Sequence, residues 1–156
     1  MTGWPLVAAM MVVGCAICCS RCARAGAAER ALAVLCPKAS VDVELVEAEA
    51  HRRLLHPALV VAVIAHESRC SMSRRGRLGE IGYGQIKPDG SAARGFSREE
   101  LETERGNLAA TARHLARVLT ICNGFGGLSI YAGHRQCKST QYSRAVLAKW
   151  LSTFSR

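Results

Sequence analysis

The chain has 156 residues, of which 49% are hydrophobic, 21% charged and 5% aromatic, so it is too apolar to be disordered and fits one domain plus a short segment. Val, Ala, Leu and Ile supply most of the apolar content, which favours a mainly α-helical core over a β-sandwich. The formal net charge of +9 indicates a solubilising surface or an anionic polymer partner, and the lack of an RNA-binding signature speaks against nucleic acid.

Residues 1–25 differ in character from the rest of the chain. An unbroken apolar run spans residues 5–19. It is shorter than the about 20 residues that a membrane span needs. Small residues follow it, with candidate cleavage sites at 23–25 and 25–27. The pattern predicts a secretory signal peptide and a mature domain over 26–156, whose formal charge is 9 − 2 = +7 once the two leader arginines are removed.

Two alternatives remain open for this leader. Because no Lys or Arg precedes the apolar run, residues 5–19 could stay in place as an uncleaved membrane anchor. The tetrapeptide over residues 12–15 resembles a lipobox, which would place a lipid on Cys15. In each case we expect an exported protein, periplasmic or extracellular.

The cysteine count is consistent with export. Four of the eight cysteines lie in the leader, and the other four are Cys36, Cys70, Cys122 and Cys137. An even set predicts two disulfides in an oxidising compartment, and four cysteines allow three pairings. A short local loop would join Cys122 to Cys137 and leave Cys36 for Cys70, although the sequence alone does not choose. Zinc binding is the rival interpretation, and the absence of a CxxC pair from the mature part disfavours it.

Helices are predicted along the first half of the domain. Residues 28–35 form a short helix that Pro37 ends, and Ser40 is the predicted cap of a second helix. A third helix begins at Pro57, because proline suits a first helical turn. Its segment, ALVVAVIAHES, is apolar on nearly every face, which predicts a central buried helix, with a buried strand as the alternative.

The second half of the domain begins with a glycine-rich segment. Residues 71–97 contain six glycines and a single proline, which predicts a shaped binding loop rather than a connector. Residues 97–100 have the form of a capping box that opens a short helix. Residues 106–121 form an amphipathic helix, a short segment follows at 128–133, and a helix over 142–154 closes the chain.

The central apolar helix ends in a glutamate, Glu67. An ionised carboxylate is costly at the edge of a core unless it is paired or partly protonated. Glu67 therefore either has a structural role at the end of the helix or acts as an acid in a reaction. His66 and Glu67 begin a HExxH zinc-protease pattern, but Cys70 occupies the position of the second histidine. The sequence therefore predicts no metal site.

Three motifs, in this order, resemble the soluble lytic transglycosylase domain, the lysozyme-like family that cuts peptidoglycan. Glu67-Ser68 matches a Glu-Ser pair that ends an apolar helix. GEIGYGQIKP, residues 79–88, matches a Gly-x-x-Gly-x-x-Gln-x-x-Pro loop, and SIYAG, residues 129–133, matches an Ala-x-Tyr-Asn-x-Gly turn. The resemblance extends from residue 57 to about residue 150.

This resemblance implies a mainly α, lysozyme-like domain with a glycine-rich loop lining the substrate cleft. It implies that Glu67 first protonates the bond between N-acetylmuramic acid and N-acetylglucosamine. The same residue then acts as base for the muramoyl C6 hydroxyl, which closes a 1,6-anhydro ring. The implied substrate-binding residues are Ser68, Gly82, Gln85 and Tyr131, and no cofactor is implied.

Two departures from the pattern keep other hypotheses open. Ala132 stands where asparagine is expected, so an inactive cell-wall glycan-binding protein is one alternative. Glu80 is a second carboxylate near the expected cleft that could position water, as in goose-type lysozyme, and give a hydrolase. A third hypothesis is a small basic exported protein in which Glu67 only ends a helix. The expected partner is the peptidoglycan glycan strand, with a membrane only if the leader is uncleaved, and we expect a monomer.

Overall fold

A computed structural model describes residues 26–155, and over this range the fold is mainly α-helical, as predicted. The helices are α1 Ala27–Leu35, α2 Val43–Arg52, α3 Pro57–Glu67, α4 Arg98–Leu101, α5 Glu104–Ile121, α6 Gly127–Tyr131 and α7 Gln141–Ser152. These residues contain isolated β-bridges and no strand. None of the helices described is long and apolar enough to cross a bilayer. The predicted leader, with its anchor and lipobox alternatives, lies outside the described residues.

The central element is α3, which contacts α1, α2, α5 and α7. All residues from 57 to 65 are buried. Pro57 occupies the first turn, and His56 Nδ1 accepts a hydrogen bond of 3.2 Å from the Ala58 N–H. The buried helix is confirmed, and the alternative of a strand is wrong. Only the last turn of α3, with His66 and Glu67, is partly exposed.

Side-chain caps determine where several helices begin. The prediction that Ser40 caps the second helix is wrong, because Asp42 Oδ1 accepts the hydrogen bond from Leu45 N at 3.0 Å. The first helical residue is Val43, so the cap position falls on Asp42, whose charge also suits the positive end of the helix. The capping box that begins at Ser97 is confirmed.

The later helices lie close to their predicted positions. The predicted start of α5 at residue 106 is two residues late, because Thr103 Oγ1 accepts a hydrogen bond of 3.0 Å from Gly106 N and begins the helix at Glu104. The closing helix α7 likewise starts one residue before its predicted range, where Thr140 provides the cap. Helix boundaries of this kind depend on caps rather than on apolar spacing.

Two disulfides are present, Cys36–Cys70 and Cys122–Cys137. Both the number and the favoured pairing are confirmed. The first joins the end of α1 to the turn after α3 and is buried. The second closes a segment that contains α6. Because the four sulfurs are bonded in pairs, these cysteines are not zinc ligands.

The segment between α3 and α4, residues 68–97, is irregular but anchored. A small apolar cluster underlies it, composed of Ile81, Ile86, Ala93, Leu101 and Ala110. Asn107 of α5, fully buried, donates hydrogen bonds from Nδ2 to the carbonyls of Ile81 (3.0 Å) and Leu101 (2.9 Å). Its Oδ1 accepts a hydrogen bond of 3.2 Å from Gly84 N. One amide side chain therefore fixes the middle of this segment against the helical core.

Candidate active site

A cleft of about 750 Å³ lies where the end of α3 meets the irregular segment, α5, α6 and the start of α7. Its polar and aromatic lining includes Glu67, Glu80, Gln85, His114, Tyr131 and Tyr142. Four of these residues were predicted from the sequence as site residues. The fold brings them together although they come from three separate parts of the chain.

Glu67 lines this cleft from the last position of α3. Burial raises the pKa of its carboxyl group above the usual 4.5, and the negative charge of Glu80 raises it further. A hydrogen bond that the Tyr142 hydroxyl donates to Glu67 Oε1 acts in the opposite direction and is the weaker influence. Glu67 therefore holds its proton to a higher pH than an exposed glutamate does.

Tyr142 was not identified from the sequence. Its ring lies nearly parallel to the Tyr131 ring with centroids 6.4 Å apart, and it meets the His66 ring edge to face with centroids 4.8 Å apart. Burial and the neighbouring charge of Glu67 raise the pKa of Tyr142, which keeps the phenol protonated as a donor. The local sequence around Tyr142 has no distinguishing pattern, since only the packing of α7 against α3 brings it to Glu67.

Tyr131 is fixed by a backbone contact from the irregular segment. Its hydroxyl donates a hydrogen bond of 3.0 Å to the Gly84 carbonyl. A Cβ atom at Gly84 would lie 2.0 Å from Thr111 Oγ1 and 2.8 Å from the Tyr131 hydroxyl oxygen, so this close approach requires glycine. Burial and the charge of Glu67 raise the pKa of Tyr131 well above its usual value. A neutral tyrosine thus joins α6 to the cleft wall.

Gln85 and Glu80 also line the cleft, and both form hydrogen bonds within the irregular segment. Gln85 Nε2 donates to the carbonyl of Gly82 at 2.9 Å, which leaves its carbonyl oxygen as the freer polar atom. Glu80 Oε2 accepts a hydrogen bond of 2.9 Å from Leu78 N. Each side chain therefore has one atom that supports the local backbone and another that is available to a ligand.

Ser68 and Gly82 are not among the residues that line the cleft. The Ser68 hydroxyl is buried, donates to the Ile64 carbonyl at 3.0 Å and accepts from Ser71 N at 3.2 Å. Gly82 has a left-handed backbone, with φ of 68°. Here both residues shape the backbone behind the cleft, and direct substrate contact by either stays a prediction.

Apart from two carboxylates, the charged side chains that line the cleft are cationic. Arg77, Lys87 and Arg117 contribute to its lining. Burial, followed by the charges of Arg117 and Arg113, lowers the pKa of His114 to about 4, so this imidazole is neutral near pH 7. The cleft therefore combines a half-buried glutamate whose pKa is raised with neutral hydrogen-bonding groups and cationic side chains.

Among residues 26–155, no group of three His, Cys, Asp or Glu side chains is arranged to hold a metal ion. Comparison with known proteins yields no matching family model and no matching curated protein. The arrangement of side chains in the cleft is therefore the basis on which a function can be proposed.

Proposed function

We propose that this protein is a peptidoglycan lytic transglycosylase with a lysozyme-like fold, in which residues 68–97 form a glycine-rich loop along the substrate cleft. The observation that carries the proposal is the position of Glu67. It is a half-buried glutamate with a raised pKa, it ends a helix that is apolar over residues 57–65, and it lies in the same cleft as Gln85 and Tyr131. A helix end with only a structural role requires none of these features.

The proposed reaction requires a single acid. The neutral Glu67 carboxyl donates its proton to the glycosidic oxygen as the bond from that oxygen to muramoyl C1 breaks, and N-acetylglucosamine leaves with a free hydroxyl. The Glu67 carboxylate then accepts the proton of the muramoyl C6 hydroxyl, whose oxygen bonds to C1. A 1,6-anhydro end forms, no water is consumed, and Glu67 regains its proton.

The neighbouring side chains support this cycle. Tyr142 holds Glu67 Oε1, so Oε2 is the oxygen that carries the transferred proton in this proposal. Burial favours the neutral acid before the first step, and the hydrogen bond from Tyr142 stabilises the carboxylate that exists between the two steps. Gln85 offers an amide to the sugar substituents. Two disulfides are consistent with an exported protein, and we propose that it acts in the periplasm or outside the cell.

A lysozyme-type hydrolase is the second candidate, and one observation favours it. Glu80 lines the same cleft, and its charge contributes to the raised pKa of Glu67. A second carboxylate could hold a water for attack on C1, which would give a reducing end. We favour the anhydro product, because Glu67 alone can act as acid and then as base, and one oxygen of Glu80 already accepts a hydrogen bond from Leu78 N.

The test uses protein exported to an oxidising compartment so that both disulfides form. Purified protein is incubated with peptidoglycan sacculi, and the released muropeptides are identified by mass, since an anhydro end is lighter than a reducing end by one water. Glu67→Gln should reduce release by on the order of 10²-fold or more, the contribution of general acid–base catalysis. Glu44→Gln, an exposed glutamate of α2, is the matched control. Undiminished release by Glu67→Gln would refute the assignment.

A further inference from the structure

A small basic pocket continues the candidate cleft at one side. It has a volume of about 160 Å³, and its lining is Ser91, Ala92, Arg94, Arg113, His114 and Arg117. Ser91, Ala92, His114 and Arg117 also line the larger cleft. The two spaces therefore adjoin, and one branched ligand could reach into both.

The arginines of this pocket form no ion pair within residues 26–155. The pKa of Arg113 is lowered by burial and by the charges of Arg53, Arg117 and Arg94. No carboxylate among residues 26–155 lies within 4.0 Å of any of these four guanidinium groups. His114 is neutral near pH 7 and therefore does not change the charge of the pocket. Clustered like charges repel one another, and a bound anion would relieve that repulsion.

The pocket is also organised in advance of any ligand. Arg113 Nη2 donates to the Ala92 carbonyl at 3.1 Å and to the Arg94 carbonyl. The Arg113 guanidinium lies 4.5 Å above the Phe96 ring. The group is thereby held in one orientation, and the exposed side chains of Arg94 and Arg117 line the same pocket. A fixed guanidinium suits the planar, two-oxygen geometry of a carboxylate.

We propose that Arg94, Arg113 and Arg117 bind a carboxylate of the stem peptide carried by the glycan strand in the adjoining cleft. This inference rests on the proposed function, because it takes peptidoglycan as the occupant of the cleft. The sugar backbone of that polymer offers no carboxylate once the muramoyl lactyl group is linked to peptide, so its anionic groups lie on the stems. A pocket that shares one wall with the sugar cleft is in reach of a side branch. The pocket thus selects strands that still carry peptides.

The experiment uses the Glu67→Gln variant, so that binding is measured without turnover. It compares the affinity for glycan strands that carry stem peptides with the affinity for the same strands after an amidase has removed those peptides. Arg94→Gln with Arg117→Gln tests the pocket, whereas Arg113 stays in place because it supports the local backbone. The exposed pair Arg105→Gln with Arg144→Gln is the control for an equal change of charge. We expect stems to tighten binding at least tenfold, and the pocket variant, but not the control, to lose that preference.

Several outcomes would overturn this inference. Equal weakening of both kinds of strand by the pocket variant would indicate a general or structural role. If the wild-type pocket binds strands with and without stem peptides equally well, it does not recognise the stem. Poly(glycerol phosphate) serves as a third probe, and arginine-dependent binding of it alone would mean that the pocket takes phosphodiesters.

If stem preference is found but the wild-type protein cleaves nothing, the proposed function fails and the pocket stands. If the wild-type protein cleaves sacculi without any stem preference, the proposed function stands and the pocket fails.

Discussion

The Tyr142 hydroxyl donates a hydrogen bond to Glu67 Oε1 and so joins the first turn of α7 to the last turn of α3, across 75 residues of sequence. This bond favours the ionised carboxylate, whereas burial favours the neutral acid and has the larger effect. The same contact holds the carboxylate in one orientation. Tyr142 therefore influences both the pKa and the position of the candidate acid.

Tyr142→Phe should shift the alkaline limb of the pH–rate profile to higher pH. The substitution removes the contact that lowers the pKa of Glu67, while burial and the charge of Glu80 continue to raise it. The maximal rate should fall by about tenfold, the lower end for loss of a hydrogen bond to a charged group. Release of muropeptides measured across a pH series would test both effects.

Tyr83→Phe is the matched control for that experiment. The Tyr83 hydroxyl donates to Glu104 Oε1 at 2.8 Å, and Tyr83 is not among the residues that line the cleft. It should leave the position of the alkaline limb unchanged. A shift to lower pH in Tyr142→Phe would contradict the assigned role of the hydrogen bond.

Glu67→Gln should stabilise the protein in a pH-dependent way. The folded-state pKa of Glu67 lies above its usual 4.5, so the unfolded chain ionises first as the pH rises. The contribution of Glu67 to the free energy of unfolding has its full value below about pH 4.5, and it is lost as the pH rises through the folded-state pKa. The amide that replaces the carboxyl group does not titrate, so the stability difference between variant and wild type should grow across that window and then level off. Denaturant unfolding at a series of pH values measures it, and a difference that is constant with pH would be the contrary result.

Local chemistry accounts for what the sequence predicted about the fold. The all-apolar run after Pro57 could only be a buried element, and its proline start favours a helix. The capping box at Ser97 is likewise formed by residues three apart. Ser40 and Asp42 are both good caps, so nothing in the local sequence decides which of them precedes the first helical residue. Asp42 was missed for that reason.

Long-range packing accounts for what the sequence did not predict about the site. Glu67 stood out because a charged residue ended an apolar helix. Tyr142 did not stand out, because its partner lies 75 residues away. Arg94 and Arg117 come from different segments, and each alone is an ordinary surface arginine. Such a pocket becomes visible only when the irregular segment is placed against α5.

Asn107→Leu should destabilise the fold strongly. The substitution removes three buried hydrogen bonds and leaves the carbonyls of Ile81 and Leu101 and the N–H of Gly84 without that partner. We expect a loss of about 3 kcal/mol or more in the free energy of unfolding, at about 1–3 kcal/mol for each unsatisfied buried group. Gln141→Leu, at an exposed position, should change stability by less than about 0.5 kcal/mol. Equal effects of the two substitutions in denaturant unfolding would argue against Asn107 as the anchor.

The two disulfides should differ in their effect on activity. From sequence separations of 34 and 15, loop closure predicts losses of about 4 kcal/mol for Cys36–Cys70 and about 3 kcal/mol for Cys122–Cys137 when each pair is replaced by alanine. The Cys122–Cys137 loop contains Tyr131, so we expect its removal to lower activity even at temperatures where the variant is fully folded. Thiol counting on residues 26–156 after export to an oxidising compartment provides the check, since four free thiols in that part of the chain would exclude both bonds.

Glu80→Gln distinguishes the two candidate reactions. If Glu67 acts alone, Glu80→Gln changes the rate only modestly and the products carry 1,6-anhydro ends. If Glu80 holds an attacking water, the same substitution should reduce the rate on the order of 10²-fold, and reducing ends should be the wild-type product.

Cleavage in water enriched in heavy oxygen provides a second test, because only hydrolysis transfers that oxygen to C1. We expect unlabelled anhydro products, because Glu80 Oε2 already accepts a hydrogen bond from Leu78 N, whereas burial raises the pKa of Glu67 and so favours its role as the acid. Labelled reducing ends as the main product would make the protein a lysozyme.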